Sequence, residues 1–475
     1  MRLLLAGRTA DRVGRRRVFV LGVAVFVAAS VLCAVVGSPE ALIAGRALQG
    51  VGGAMILPTS LSLINSTFTG RDRGIAFAVW GSTIGGTAAL GPLLGGWLTT
   101  DLSWRYAFGI NVPIGILVVI GAVLLVPESR DTSARRGNDW LGSALSVIGF
   151  AAVVFGLIEG RTYGWFERIA PVSLAGFEWT ARLSPVPVAF AIGVLALSLF
   201  AVVERRRNAA GRVVLLDLSL FAIPSFRNGN LVAGVVSLGE FGLLFTLPLW
   251  LQNVLGYSAF ETGLALLPLA LGSFAASGLG ARLTAARGAI FTVRAGILLE
   301  LIGIAAIGAV AAPDTAWWAT SPALLVYGIG VGLATAQITG IVLADVPVAV
   351  SGQASGTQST TRQLGSALGI AVLGTVLFAS LGGRLDDALR EQNLPADQRA
   401  AVVSAVKDSA GSAIAGLDGA PEQAAKESFS AATRWTAWTA AGFLLLGLLA
   451  SARLHGRPAG ETGAPAGSAH RRVSS

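Results

Sequence analysis

"GRTADRVGRRR", residues 7–17, holds Arg8, Asp11, Arg12, Arg15, Arg16 and Arg17, and it leads directly into the apolar run VFVLGVAVFVAASVLCAVVG. Gly7 and Gly14 allow a tight turn. Asp11 stands where it can cap or pair at a helix end, with arginines on the same face. Two readings fit the charges. One is a cluster that closes one face of a helical bundle and opens during a cycle. The other is an anchor whose arginines meet lipid phosphates.

The apolar run after the turn is the first of twelve. The stretches are 18–37, 40–63, 74–98, 107–126, 140–159, 185–203, 229–251, 260–281, 289–311, 318–342, 356–381 and 433–454. Each approaches or exceeds the roughly 20 apolar residues that a bilayer span needs. The composition agrees: 53% of the 475 residues are hydrophobic and 13% charged, with a mean hydropathy of +0.70. A soluble chain of this length needs more charge to cover its surface. Gly and Pro inside the runs suit tightly packed membrane helices. The chain reads as an all-α polytopic membrane protein.

Between the spans, arginine falls on alternate loops. Loops 7–17, 66–73, 127–139, 204–228, 282–294 and the tail after 452 hold 22 arginines, against Arg105, Arg161, Arg168 and Arg182 in the short loops of the other set. This positive-inside bias puts the arginine-rich set and the C-terminus in the cytoplasm. The net charge of +9 is thereby a topology signal, and nucleic acid is not an expected partner. Cys33 is the one cysteine, which excludes an internal disulfide. His455 and His470 lie in the tail, so histidine catalysis and metal sites are not expected. Lys407 and Lys426 end no phosphate-binding loop. No enzyme chemistry is legible, and no cofactor is called for.

Three motifs sit inside spans. Arg46 in "ALIAGRALQGVGGAMILP" lies about two turns into its helix, where an arginine costs several kcal/mol unless paired or wetted. Gln49 follows one turn on, and Gly50, Gly52 and Gly53 allow close helix approach. Arg46 is either a cation that favours the charged form of a nearby acid, letting a proton come and go, or a side chain snorkelling to headgroups. In "LGPLLGG", Gly91, Pro92, Gly95 and Gly96 combine a helix bend with small surfaces. They read as a hinge and seal, or as packing alone. Glu240 and Glu300 are mid-span carboxylates, and ionising such a group at the bilayer centre costs roughly 2.5–3.5 kcal/mol. They are candidates for proton carriers or for contacts to a cationic substrate; the alternative is a protonated carboxyl bonded between helices. Phe241 and Trp250 are aromatic candidates for the same cavity. Few other buried polar groups are expected.

These motifs carry a resemblance. The spacing of Gly7, Asp11, Arg12, Gly14, Arg15 and Arg16 resembles the signature loop between the second and third helices of the major facilitator superfamily. Arg46, Gln49 and Gly50 resemble its fourth-helix pattern, linked there to proton transfer, and GPxxGG resembles its antiporter motif. Trp104, Arg105, Asn111, Pro113, Gln252, Arg362, Gln363 and Gly365 are similar to positions of the 14-span drug:proton antiporter family. The resemblance covers about residues 7–455. It implies a major facilitator fold with two pseudo-symmetric bundles and two extra linker helices. It also implies a monomeric, proton-coupled exporter of amphipathic, cationic drugs or antibiotics in a bacterial inner membrane. An exporter of an endogenous lipid, siderophore or self-made antibiotic is an alternative, and a transport-inactive membrane protein or ligand sensor is another.

The expected organisation is an incomplete N-terminal bundle at 1–126, two additional helices at 127–203 and a connector at 204–228. A C-terminal bundle at 229–455 carries a long outer loop at 382–431, and a disordered tail fills 456–475. The connector, amphipathic in its middle, lies either on the membrane surface or in solvent. In the outer loop, Asn393-Leu-Pro395 starts a helix that Gly411 stops, and Pro421 opens a second short one. The segment 280–288, GARLTAARG, is a degenerate copy of the opening loop, without its aspartate. Fourteen spans are implied and twelve are visible, so the deficit is expected ahead of residue 7.

Overall fold

The computed structural model describes residues 9–130, 139–171, 173–174 and 177–454. The described secondary structure is helical apart from one two-stranded hairpin. Eleven described helices are long and apolar enough to cross a bilayer, and the stretch 74–98 lies on a further helix of 28 residues.

A helical turn at 9–13 ends at Gly14, whose φ of 126° starts α1 (Arg15–Val35). α2 (Pro39–Thr67) begins with Ser38 accepting from the Ala41 amide and Pro39 in the first turn, the usual start chemistry of a helix. α3 spans Gly70–Trp97. α4 (Tyr106–Gly109) and α5 (Asn111–Leu125) form one bent span. Two further helices follow: α6 (Trp140–Tyr163), capped by Asp139, and α7 (Pro185–Ala209), capped by Ser184. Between them, Ser173–Leu174 (β1) and Phe177–Glu178 (β2) make a small antiparallel hairpin.

The second half comprises α8 (Pro224–Asn253), α9 (Ala259–Ala265), α10 (Leu267–Arg287), α11 (Ala289–Val310), α12 (Trp317–Ala344), α13 (Ser351–Glu391), α14 (Ala396–Asp408) and α15 (Ala420–Ala450). Here α8 packs on α13 and α15, and α11 on α12 and α15. The halves meet chiefly where α3 lies against α9, α10 and α12, and where α2 meets α13. Internal pseudo-symmetry shows at the helix starts: Gly288, φ 86°, opens α11 as Gly14 opens α1.

Two sequence expectations change, for the connector and for Pro421, while the helix between Pro395 and Gly411 stands where it was expected. The connector neither lies on a membrane surface nor floats in solvent. Val214, Leu215, Leu216 and Leu220 are buried, and the Leu216 amide donates to Glu204 on α7. Its apolar face is spent on the protein's own helices. The outer segment is a packed cap: α14 is held by Arg399 on Asp386 and by Asn253 on the Ala410 carbonyl, and Gly411 adopts left-handed backbone. Pro421 opens no separate short helix. It lies in the first turn of α15, which runs on as the last span.

Candidate functional site

The opening loop becomes a contact between halves. Asp11 is fully buried and Arg15 nearly so. Arg15 donates to Asp11 Oδ1 from Nε at 3.2 Å and Nη2 at 2.8 Å. The first amides of α13 complete the site: Gly352 donates to Oδ1 at 3.0 Å and Gln353 to Oδ2 at 3.2 Å. An anion at a helix N-terminus satisfies donors that have no partner within the helix. Arg15 Nη2 also reaches the Val348 carbonyl at 2.7 Å, and Ser62 bonds Ser351 at 2.7 Å. Burial pushes the Asp11 carboxyl up to about 6, against the pull of Arg15 and the two amides.

The other described arginines of the loop have other work, and Arg8 lies outside the described residues. Arg16 donates to the Val123 and Val126 carbonyls at the end of α5. Arg17 is exposed, 3.8 Å from Glu128. Arg12 is half-buried, and Gly7 lies outside the described residues. Glu128 accepts the amides of Arg16 and Arg17 at 3.1 and 3.2 Å, in a space that a side chain at Gly14 would fill.

Arg46 heads a polar chain toward the interior of the first half. It donates to Gln49 Oε1 at 2.8 Å, and Gln49 Nε2 donates to Ser30 at 2.6 Å. Asn111 reaches the same hydroxyl at 3.3 Å. Arg46 stands 5.8 Å from the Phe108 ring centroid, and among the described residues it makes no ion pair. Gly50 and Gly53 face open space; Gly52 is the one pressed against α1, at Gly22 and Phe26. In the GPxxGG run, Gly96 abuts Ala259 and Phe260 at the start of α9, whereas Gly91 and Gly95 face open space. Pro92 lies within α3. Arg105 stacks on Trp104 at 4.6 Å and donates to the Val36 carbonyl, tying the α4 approach to the end of α1. Pro113, Gln252 and Gln363 are exposed.

In the second half, a small cavity is lined by Ser237, Glu240, Thr335, Thr339, Gln358 and Arg362, among others. Close backbone approach of α8 to α13 builds it. A side chain at Gly365 would strike the Gly234 carbonyl, and one at Gly369 the Leu238 carbonyl. Glu240 Oε2 has no hydrogen bond, and its nearest cation is Arg362 at 4.0 Å. Both oxygens of buried Glu300 are also without a hydrogen bond. Glu300 packs on Gly330 of α12, within electrostatic reach of Glu240 and Arg362. The Tyr327 hydroxyl donates to the Glu240 carbonyl at 3.2 Å.

Sequence reading named both carboxylates but not their surroundings. Arg362 entered as a pattern position, not as the cation beside Glu240. Gln358, which donates to Thr339 at 2.9 Å, was missed, as were Glu128 and Gln353. A signal existed in SGQASGTQST (351–360), hydroxyl- and amide-rich yet separated from an apolar run by only Thr361, Arg362 and Gln363. Every residue of it is buried, which overturns the expectation of few buried polar groups. Trp250 is enclosed, its indole on Ser430 at 3.1 Å, and is unavailable to a substrate. Phe241 is half-buried and is not among the lining residues.

Comparison with known proteins completes the picture. The chain is 36% identical over 393 residues to the probable actinorhodin transporter of Streptomyces coelicolor, covering 80% of this chain and 64% of that protein. It is 36% identical over 389 residues to a puromycin resistance protein of Streptomyces alboniger, covering 81% and 73%. The chain thus spans less than two thirds of the first relative's length. Among solved structures, it resembles the human organic anion transporter MFSD10 with a TM-score of 0.57 at 17% identity, over 94% of this chain and 80% of that one. That likeness concerns the fold. Residues 3–370 match the Major Facilitator Superfamily, and with the paired halves, the Asp11–Arg15 contact between them and the buried carboxyl cavity in view, the chain belongs to that family.

Proposed function

We propose that the chain is a proton-coupled exporter of amphipathic, cationic drugs or antibiotics, of the 14-span subtype, working by alternating access. The observation that carries this reading is the pair Glu240 and Glu300. Two buried carboxyls lie within electrostatic reach of one arginine, and three of their four oxygens lack a hydrogen bond. Such groups are poised to take up and release protons or to hold a cation. The inter-half contacts support alternating access, since a carrier must break one set to expose its cavity. The arginine-rich end, with Asp11 and Arg15, is then the cytoplasmic gate. Arg46, Gln49 and Gly50 form a second element of coupling, and Gly91, Pro92, Gly95 and Gly96 the hinge of the outer seal. The protein acts as a monomer with its C-terminus inside, and α6 and α7 are the extra pair of the subtype.

Everted membrane vesicles test the activity. Puromycin or an amphipathic cationic dye should accumulate on imposing a proton gradient and leak on adding an uncoupler. Glu240→Gln should abolish accumulation. Normal accumulation by that variant removes Glu240 from the mechanism, and absence of accumulation by the parent leaves a ligand-binding membrane protein. A second reading of cargo is an antibiotic made by the same cell; the relatives' names, an actinorhodin transporter and a puromycin resistance protein, support an antibiotic as the class of cargo.

A further inference from the structure

The two extra helices meet the bundle through a second pair of buried acids. Asp139 caps α6, its Oδ1 accepting the Gly142 amide at 2.7 Å. Glu204, near the end of α7, accepts the Leu216 amide on Oε2 at 3.2 Å. Each carboxyl thus has one oxygen held by backbone. The other two, Asp139 Oδ2 and Glu204 Oε1, are buried without a donor, and the carboxyls lie within hydrogen-bond contact of each other. Arg207 Nε lies 3.2 Å from Asp139 Oδ2, but its N–H points at the Val213 carbonyl. Two facing acceptors with no donor are satisfied by one proton held between them.

We infer that Asp139 and Glu204 share one exchangeable proton, and that losing it undocks the strap 212–217 from the start of α13. With the proton in place, the pair carries one negative charge, matched by Arg207. Without it, two anions face each other out of water beside a single cation, an arrangement that buried carboxylates do not tolerate. The strap is the part free to yield. Its Leu216 amide is held by Glu204, and the next amide, Asp217, donates to Gln353 Oε1 at 2.9 Å. The Gln353 amide in turn holds Asp11, so this acid pair is linked to the gate through three residues.

Among the described residues, the charges at the pair are Asp139, Glu204 and Arg207. Asp217 turns its carboxylate to Asn208 and to the Ser219 amide, and α13 presents the neutral Gln353. The inference rests on the gate geometry and is independent of export.

The test uses the full chain in lipid nanodiscs, with Cys33→Ala and a reporter Val214→Cys on the buried face of the strap. Maleimide labelling is read as the rate in this parent divided by the rate in its Glu204→Gln form at each pH, so thiol ionisation and Asp11 titration cancel. One linked proton makes this ratio rise by up to about tenfold per pH unit. The parent minus Glu204→Gln infrared difference should show a protonated-carboxyl band that fades with the same midpoint. Asp139→Asn keeps its helix cap and should be as insensitive to pH as Glu204→Gln, so either folded variant suffices. A flat ratio, a variant that keeps the slope, or a difference spectrum without the band overturns the proposal.

Discussion

Arg15 is the arginine of the opening loop that turns inward, and its neighbours show why spacing alone does not identify it. Asp11 and Arg15 stand four apart, a pairing legible in sequence. Their partners, the Val348 carbonyl and the amides of Gly352 and Gln353, lie more than 330 residues away. Glu128 was invisible for the same reason. Its two oxygens cap the start of α1 from across the bundle. Glu128→Ala should cost about 1–2 kcal/mol, read as a lower midpoint in thermal unfolding of the detergent-solubilised protein. Arg362 and Glu240 give a sharper case. Arg362→Ala leaves Glu240 buried without a cation and should cost about 3 kcal/mol. Combining it with Glu240→Gln should recover part of that loss. Purely additive losses in a double-mutant cycle would show that the 4.0 Å pair is not an interaction.

At the level of elements, the spans were the most legible feature, because a bilayer demands length and apolarity whatever the partner. Hydropathy does not say which side of a helix meets another. Gly50, Gly52 and Gly53 look equivalent in sequence, yet only Gly52 is pressed against a neighbour. Gly369→Val would drive a side chain into the Leu238 carbonyl and should cost about 1–3 kcal/mol by overpacking α8 on α13. Gly50→Ala, in open space, should leave the midpoint unchanged or raise it by up to about 1 kcal/mol. Thermal unfolding of the two variants side by side separates a packing glycine from one whose role, if any, lies in another state. The connector was misjudged because its amphipathic pattern fits a lipid surface and a protein surface equally well. Only the acceptor Glu204 and the burial of Leu215 and Leu216 distinguish them.

For the whole molecule, the gate we propose at Asp11, closed when its contacts are made, has a pH dependence of definite sign. Asp11 holds its proton up to about 6 in the closed form, against 3.8 for a free carboxyl. The closed form therefore binds more protons across that interval. Acid favours closure, and the bias fades as pH rises through about 6 and stays constant above. Two pKa units correspond to about 3 kcal/mol. Spin labels at exposed Arg17 and Val348, one on each side of the gate, should report a larger closed fraction at pH near 4 than near 7. Asp11→Asn should remove that change.

The ten residues that open α13 bear on how the protein is made. Ser351–Thr360 is buried all round by other helices, and α13, at 41 residues, is about 60 Å long. A nascent α13 leaving the insertion machinery would expose the hydroxyls and amides of 356–360, which lie within the span, to acyl chains before its neighbours arrived. Biogenesis of this half therefore calls for α8, α12 and α13 to enter the bilayer as a group, with the polar turns sheltered from the moment of release.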